Sequence, residues 1–455
     1  MQFTVKNPSF YKEAAAIAIP ISLQGVITIG VNMADTVMVG SLGETSLSAT
    51  ALANQFVTIY QICCMGIGMG ASVLTARFWG MKDISSLKKT ITIMLRFCFF
   101  LALIFFMIPT IFFPEFLMKI YTKDPLVIAE GIKYFKWMIA CYWLQGLALT
   151  STIVLRSVGQ VKIPLISSIA AFFINIFFNY IFIFGKLGLP SMGIEGAGIG
   201  TLIARIFEFI FIVGYLLFID KKICYRIPDI LLKCMDLMGT YIKISLPVFV
   251  SDTLLALGNS AVAMVMGRIG TGFVSANSIT VVTQQLSTIL IQGICHASCI
   301  MTGHTLGRGE IKKAQDEAWA FLYLSAAVGL VGGIIILIIK TPIINFYNIT
   351  DETKAIAHEL MNSIALIVVF QSMNSILTKG VLRGGGDTKF LMVADILFLW
   401  ILSVPLGALA GLYFHLNAFW IYFFLKIDQV VKAVWCIFRL KSGKWIKVFD
   451  SSSVH

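Results

Sequence analysis

Long apolar runs separated by short polar stretches recur along the whole chain. Twelve windows are long enough to cross a bilayer, which takes about 20 mostly apolar residues because a helix rises 1.5 Å per residue and the hydrocarbon is about 30 Å thick. In the first half they fall near 12–38, 49–78, 90–113, 130–154, 163–185 and 194–219. In the second half they fall near 240–266, 276–304, 316–340, 355–380, 388–411 and 414–439. Phe-rich runs such as Phe97 to Phe113 are too long for strands and lack an alternation of period two, so they predict helices and not a barrel. The expected fold class is an all-α integral membrane protein of twelve transmembrane helices.

The two sets of six windows are copies. Pro20 recurs 227 residues on as Pro247, Gly40 as Gly267, Gly43 as Gly270, Gly66 as Gly293, Thr75 as Thr302 and Gly80 as Gly307. The run Leu155 to Lys162 aligns without a gap on Leu382 to Lys389. Positions that punctuate backbone geometry keep their places, which predicts two six-helix lobes of one architecture. Six is even, so both copies enter and leave on the same side, and the repeat is parallel with its axis along the membrane normal. Duplicated halves around a central site are a plan of transporters, and here they are the main argument for transport. The organisation expected is an N-lobe over 1–220, a connector over 221–236, a C-lobe over 237–441 and a tail over 442–455.

Composition agrees with the pattern: 58% of residues are hydrophobic and only 13% charged, too apolar for a soluble chain of 455 residues. The net charge of +12 would suit a nucleic-acid binder if the bases shared one soluble face. Instead they sit in alternate loops. Lys6 and Lys12 precede the first helix, and Arg77, Lys82, Lys88 and Lys89 follow the second. Arg156 and Lys162 come between the fourth and fifth, and Lys221, Lys222, Arg226 and Lys233 between the sixth and seventh. Arg308, Lys312 and Lys313, then Arg383 and Lys389, then Arg439, Lys441, Lys444 and Lys447 continue the series, while Gly40 to Ser48 has no base. This asymmetry predicts cytoplasmic termini in a plasma (inner) membrane, with lipid and not nucleic acid as the surroundings. The first apolar stretch lacks a small-x-small cleavage site, and its counterpart around Pro247 lies mid-chain, so it is read as a helix and not a signal peptide. The nine cysteines fall mostly inside apolar helices and form no disulfide framework. Cys295, His296, Cys299 and His304 are read as packing residues, with no metal site and no enzyme implied.

Ionisable residues inside a bilayer are costly and usually face a cavity or a partner. Asp35 has no base within one helical turn, and burial of an unpaired carboxylate disfavours its charge, which makes proton uptake feasible. Asn175 and Asn179 lie four apart on one helix face and could offer carbonyl oxygens to a hard cation, or simply bond neighbouring helices. Asp252 is mid-helix with no base nearby in sequence, and Asp395 has Lys389 or water as a candidate partner. Gln284 and Gln285 are candidates for the cavity lining, with interhelical bonding as the alternative. Arg205 and Glu208 are three apart, and Asp428 and Lys432 four apart, spacings that allow pairing within a helix. Pro20 and Pro247 each remove a backbone hydrogen bond inside the first helix of a lobe, as static kinks or as hinges.

The run Asn32 to Gly40 resembles the first-helix motif of the multidrug and toxic compound extrusion (MATE) transporters, within the multidrug/oligosaccharidyl-lipid/polysaccharide exporter superfamily. The paired Leu-Arg-x-x-Gly element at Leu155 and Leu382, the stretch Asn175 to Pro190 and the run Gly196 to Thr201 fit the same family. The resemblance implies an antiporter that exports organic compounds by alternating access, driven by protons or sodium. It also implies a cation site of Asp35, Asn175, Asn179 and Thr201. One branch of the family has an acid where Asn179 stands, and another has a glutamate at the place of Leu255, one turn beyond Asp252. The site expected from these readings is therefore Asp35 with the two amides and Thr201, and Asp252, Gln284, Gln285 and Asp395 form a substrate cavity or secondary cation site. A single carboxylate favours protons over sodium as coupling ion, and no cofactor is expected. The substrates expected are small amphipathic organic molecules, cationic ones among them, and the protein is read as a monomer. The competing reading is a lipid-linked oligosaccharide flippase of the same superfamily. Its phosphate-bearing cargo would call for Arg and Lys at membrane depth, where the sequence offers few beyond Arg205 and Lys432.

Overall fold

Short polar stretches set where each helix begins and ends. Asp83, Asp124 and Thr350 each accept a backbone N–H from the first turn that follows them, and Pro125 takes the first helical position, where its missing N–H costs nothing. Gly185 stops another helix in the left-handed conformation at φ +65°, which suits a residue without Cβ. The computed structural model describes residues 8–347 and 349–447, the side chains of Thr271 and Leu286 apart; Lys6 and the tail beyond Lys447 lie outside the described residues.

Among the described residues the long elements are helical throughout, with no strand. They are α1 (Pro8–Gly40), α2 (Glu44–Met81), α3 (Ile84–Phe112), α4 (Pro125–Ser157), α5 (Lys162–Phe184) and α6 (Gly193–Ile219). The second set is α7 (Met235–Ile269), α8 (Thr271–Gly307), α9 (Ile311–Phe346), α10 (Asp351–Leu382), α11 (Thr388–Tyr413) and α12, made of Ala418–Leu425 and Ile427–Lys441. Ten of the twelve are individually long and apolar enough to span a membrane. The eighth is an eleventh if its two parts, Gly272–Gln285 and Ser287–Gly307, bent by 49°, count as one. The twelfth falls short because it is interrupted at Lys426, which leaves pieces of 8 and 15 residues, and it carries Asp428, Lys432 and Arg439. Those charges have partners, so α12 completes the expected two-lobed, twelve-helix plan.

Large apolar side chains are exposed along the helices, Phe100, Phe105, Phe112, Phe173, Ile210, Ile338 and Ile401 among them. Such a surface is stable against lipid, where apolar groups face hydrocarbon. Buried packing is aromatic at the heart of the first repeat, where Phe56, Tyr60, Phe106 and Tyr142 meet edge to face or tilted.

By internal contacts the chain forms two units. One, here the N-unit, comprises Leu23–Thr75 and Asp83–Ser245; the other, the C-unit, comprises the described residues up to Ser22, Ala76–Lys82 and the described residues from Leu246 onward. The division cuts α1 after Ser22, two residues beyond Pro20, and cuts α7 before Leu246, next to Pro247. The connector is tied to the N-unit. Buried Asp220 accepts the N–H groups of Ile223 at 2.7 Å and Cys224 at 3.1 Å and the side chain of Gln160 at 2.5 Å. Lys88 pairs with Asp229 at 2.8 Å, and Arg96 donates to the carbonyls of Ile230 and Leu232.

Candidate functional site

In the N-unit, α1, α5 and α6 bring the first candidates together. Asn179 Nδ2 donates to Asp35 Oδ1 at 2.6 Å and lies 3.3 Å from Asn175 Oδ1. Asn175 and Asn179 share a face because they are one helical turn apart, and both are buried, whereas Asp35 is half-buried. The carbonyl oxygen Asn179 Oδ1 is buried and has no hydrogen-bond partner among the described residues, leaving one oxygen ligand unused near the carboxylate. α6 can approach this closely because position 200 is glycine: a side chain at Gly200 would collide with Asn179 Oδ1. Thr201 follows directly on the same helix and is half-buried. Arg205, one turn further, is near enough for its charge to act on Asp35, but its guanidinium pairs with Glu208 at 2.6 Å.

In the C-unit, spacing along each helix hid the partners of both acids. Asp252 has no base nearby in sequence, yet Arg383, 131 residues away, donates to both its oxygens at 2.9 and 3.3 Å. By sequence Arg383 belongs with the loop bases, whereas it closes α10 from inside the bundle and is 4% exposed. Asp395 pairs not with Lys389 but with Lys432 at 3.1 Å, and it also accepts the hydroxyl of Ser251. Lys432 holds Asp428 at 3.1 Å as well, the expected within-helix pair enlarged into a triad. Lys379, which lies inside an apolar run, is half-buried in a wide turn over Ile376–Leu382 and makes no ion pair or hydrogen bond among the described residues. Its charge, with those of Arg383 and His296, acts on Asp252.

Gln284 donates to Gln371 at 2.6 Å, an interhelical bond between α8 and α10, while Gln285 is exposed. Cys295 and Cys299 are buried, and the close fit of Gly380 and Gly384 against Cys295, Ser298 and Cys299 places this stretch in helix packing. Among the described residues no three His, Cys, Asp or Glu side chains are grouped to hold a metal ion.

A twelve-helix, duplicated membrane bundle with an acid–amide cluster inside one unit is the build of a transporter. The MatE family matches the chain twice, over residues 20–181 and again over 247–409, so the chain belongs to that family of membrane transporters and is not an enzyme. It is 24% identical over 443 residues to the probable multidrug resistance protein NorM of Thermotoga maritima, covering 97% of this chain and 94% of the relative. It is 23% identical over 446 residues to the multidrug resistance protein MdtK of Yersinia pseudotuberculosis, covering 94% of each. The fold matches that of the Vibrio cholerae MATE transporter VcmN with a TM-score of 0.86 at 15% identity, over 96% of this chain and 99% of that one.

Proposed function

We propose that this transporter exports small amphipathic organic compounds, as a multidrug efflux protein, by alternating access coupled to inward flow of a cation at Asp35. The observation that carries this reading is the Asp35–Asn179–Asn175 cluster: a half-buried carboxylate bonded to an amide and not to a base, beside an unused amide oxygen. A coupling ion must bind one conformation better than another, and a carboxylate with no basic side chain bonded to it is a group that can gain and lose a cation. Multidrug resistance is what the names of the NorM and MdtK relatives state of those proteins, and it supports the same export role here.

The proton is the coupling ion in this reading, with sodium the alternative that Asn175, Asn179 and Thr201 would serve as oxygen ligands. Pro20 and Pro247 stand within three residues of the places where α1 and α7 pass from one unit to the other, which suits hinges better than static kinks. The protein sits in the plasma membrane with both termini in the cytoplasm, as the loop charges argue. Bases at depth are more numerous than the sequence reading allowed, which would favour a flippase for phosphate-bearing lipid. Arg205, Arg383 and Lys432 are each neutralised by carboxylates, whereas Arg156 is bonded to the neutral Gln24 and Lys379 has no ion pair among the described residues, so the exporter rests on the relatives' names and not on a lack of bases. The test is transport by purified protein in proteoliposomes under an imposed proton or sodium gradient, with a panel of dyes and natural products. Gradient-independent movement of every compound would refute the coupling.

A further inference from the structure

The triad of Asp395, Asp428 and Lys432 is the most deeply buried charge cluster among the described residues of the C-unit. Side-chain exposures are 7% for Asp395, 1% for Asp428 and 2% for Lys432. Its geometry is that of a coordinated cation. The Lys432 ammonium lies 3.1 Å from one oxygen of each carboxylate, and the two acids come from different helices, α11 and α12. Their other contacts are also filled. Ser251 of α7 donates to Asp395, Gln429 donates to Asp428 at 2.7 Å, and Asn374 of α10 donates to Gln429 at 2.7 Å. Ser403 reaches Asp428 at 3.4 Å. Four helices thus converge on a single positive charge that belongs to the chain.

Charge counting gives the same answer. Lys426, which opens the second part of α12, is the other base whose charge acts on Asp428 and Lys432. The Lys432 ammonium bonds both carboxylates, Lys426 adds a second positive charge that acts on Asp428 while its own ammonium donates to Asn259 at 3.4 Å, and Arg439 further along α12 is engaged by Asp387 at 2.7 Å. Adding a further cation to a balanced buried site has no charge to compensate, and desolvating it is costly. The N-unit differs at the positions 227 residues earlier, which are Ser168, Thr201 and Arg205. No acid stands at those places, its carboxylate is Asp35 on α1, and that group is bonded to an amide.

We propose that Asp395 and Asp428 form a monovalent-cation site that the Lys432 ammonium occupies permanently, so that the C-unit takes up no coupling ion. Only the assignment of coupling to the other unit rests on the reading of Asp35. Removing the ammonium should uncover a site for a small external cation, with two carboxylates and the Ser403 hydroxyl as ligands.

The test uses full-length protein in which Asp35→Asn silences the N-unit. Lys432→Ala removes the atoms of a propylammonium ion, so n-propylammonium and sodium are the probes, against an N-methylglucamine buffer. Thermal unfolding of Asp35→Asn/Lys432→Ala should shift upward saturably, by roughly 2–4 °C at a hundredfold excess over Kd, with one or both probes. Asp35→Asn alone should show no such shift, and adding Asp395→Asn to the double variant should abolish it. A double variant without the shift, or a shift already present in Asp35→Asn alone, would overturn the proposal. If the double variant fails to fold, equilibrium binding of radioactive sodium to wild-type protein decides: at most one ion per chain is expected, and two would overturn the proposal. A gained shift in a background where Asp35→Asn still drives coupled export would leave the tethered cation standing and refute the reading of Asp35.

Discussion

Arg383 binds both carboxylate oxygens of Asp252, and the same arginine position in the first repeat, Arg156, binds the neutral amide of Gln24. In each repeat the guanidinium at the end of the fourth helix reaches back to the first helix about one turn beyond its proline. Asp252→Ala leaves the buried Arg383 charge without its acid, which should cost about 3 kcal/mol, toward the low end for a broken buried pair because Asp252 is 17% exposed. Gln24→Ala removes one hydrogen bond to Arg156 and should cost about 1–2 kcal/mol. Thermal unfolding in detergent separates the two. Combining Asp252→Asn with Arg383→Met should recover most of the stability that Asp252→Ala loses, and equal losses from all three would refute the pairing as a stabilising contact.

Gly200 controls how near α6 comes to Asn179. Gly200→Ala drives a methyl group into Asn179 Oδ1, and Asn179 must then turn away from Asp35. Coupled transport should fall by at least tenfold while expression persists. Gly214→Ala on the same helix, where added atoms meet nothing, should transport as wild type. A fully active Gly200→Ala would show that the Asn179–Asp35 bond is dispensable.

Cys224 is the one exposed cysteine among the nine and lies in the connector. With the connector in the cytoplasm, a membrane-impermeant maleimide added to intact cells should leave Cys224 unlabelled, and inverted vesicles should label it. Labelling in intact cells would reverse the assigned orientation. A reporter fused at Ser451, outside the described residues, should give the same cytoplasmic answer.

Much of this architecture is legible in the sequence because its signals are local. Apolar length finds the helices, glycine and proline register finds the duplication, and i to i+3 or i+4 spacing finds Arg205 with Glu208 and Asp428 with Lys432. What stays hidden is whatever depends on which helices adjoin. Arg383 reads as a loop base because it ends an apolar window, and its partner lies 131 residues away. Lys432 reads as paired once and is in fact shared, since nothing in α12 reveals that Asp395 of α11 stands opposite. Lys379 escapes notice inside an apolar run, where its long stem allows a charged head. The acid–amide cluster was legible only through family resemblance and a four-residue spacing, and the role of Gly200 in seating Asn179 has no signal in sequence alone.

The coupling ion can be separated from the acid that binds it. Proton coupling predicts that export fails when the pH gradient is collapsed and persists without sodium. Export that survives collapse of the pH gradient but stops on sodium removal would reassign the ion, with Asp35 kept as its ligand. Sodium and the proton should then compete for Asp35, since a carboxylate must be deprotonated to hold a metal ion.

The most direct measurement is gradient-driven export by Asp35→Asn in proteoliposomes, beside wild type at equal incorporation and with folding checked by thermal unfolding. Asparagine keeps the shape of the side chain and removes its charge and its titratable proton. The account predicts a folded protein whose gradient-driven transport is lost. Transport at the wild-type rate by Asp35→Asn would contradict it and leave the carboxylate a structural group.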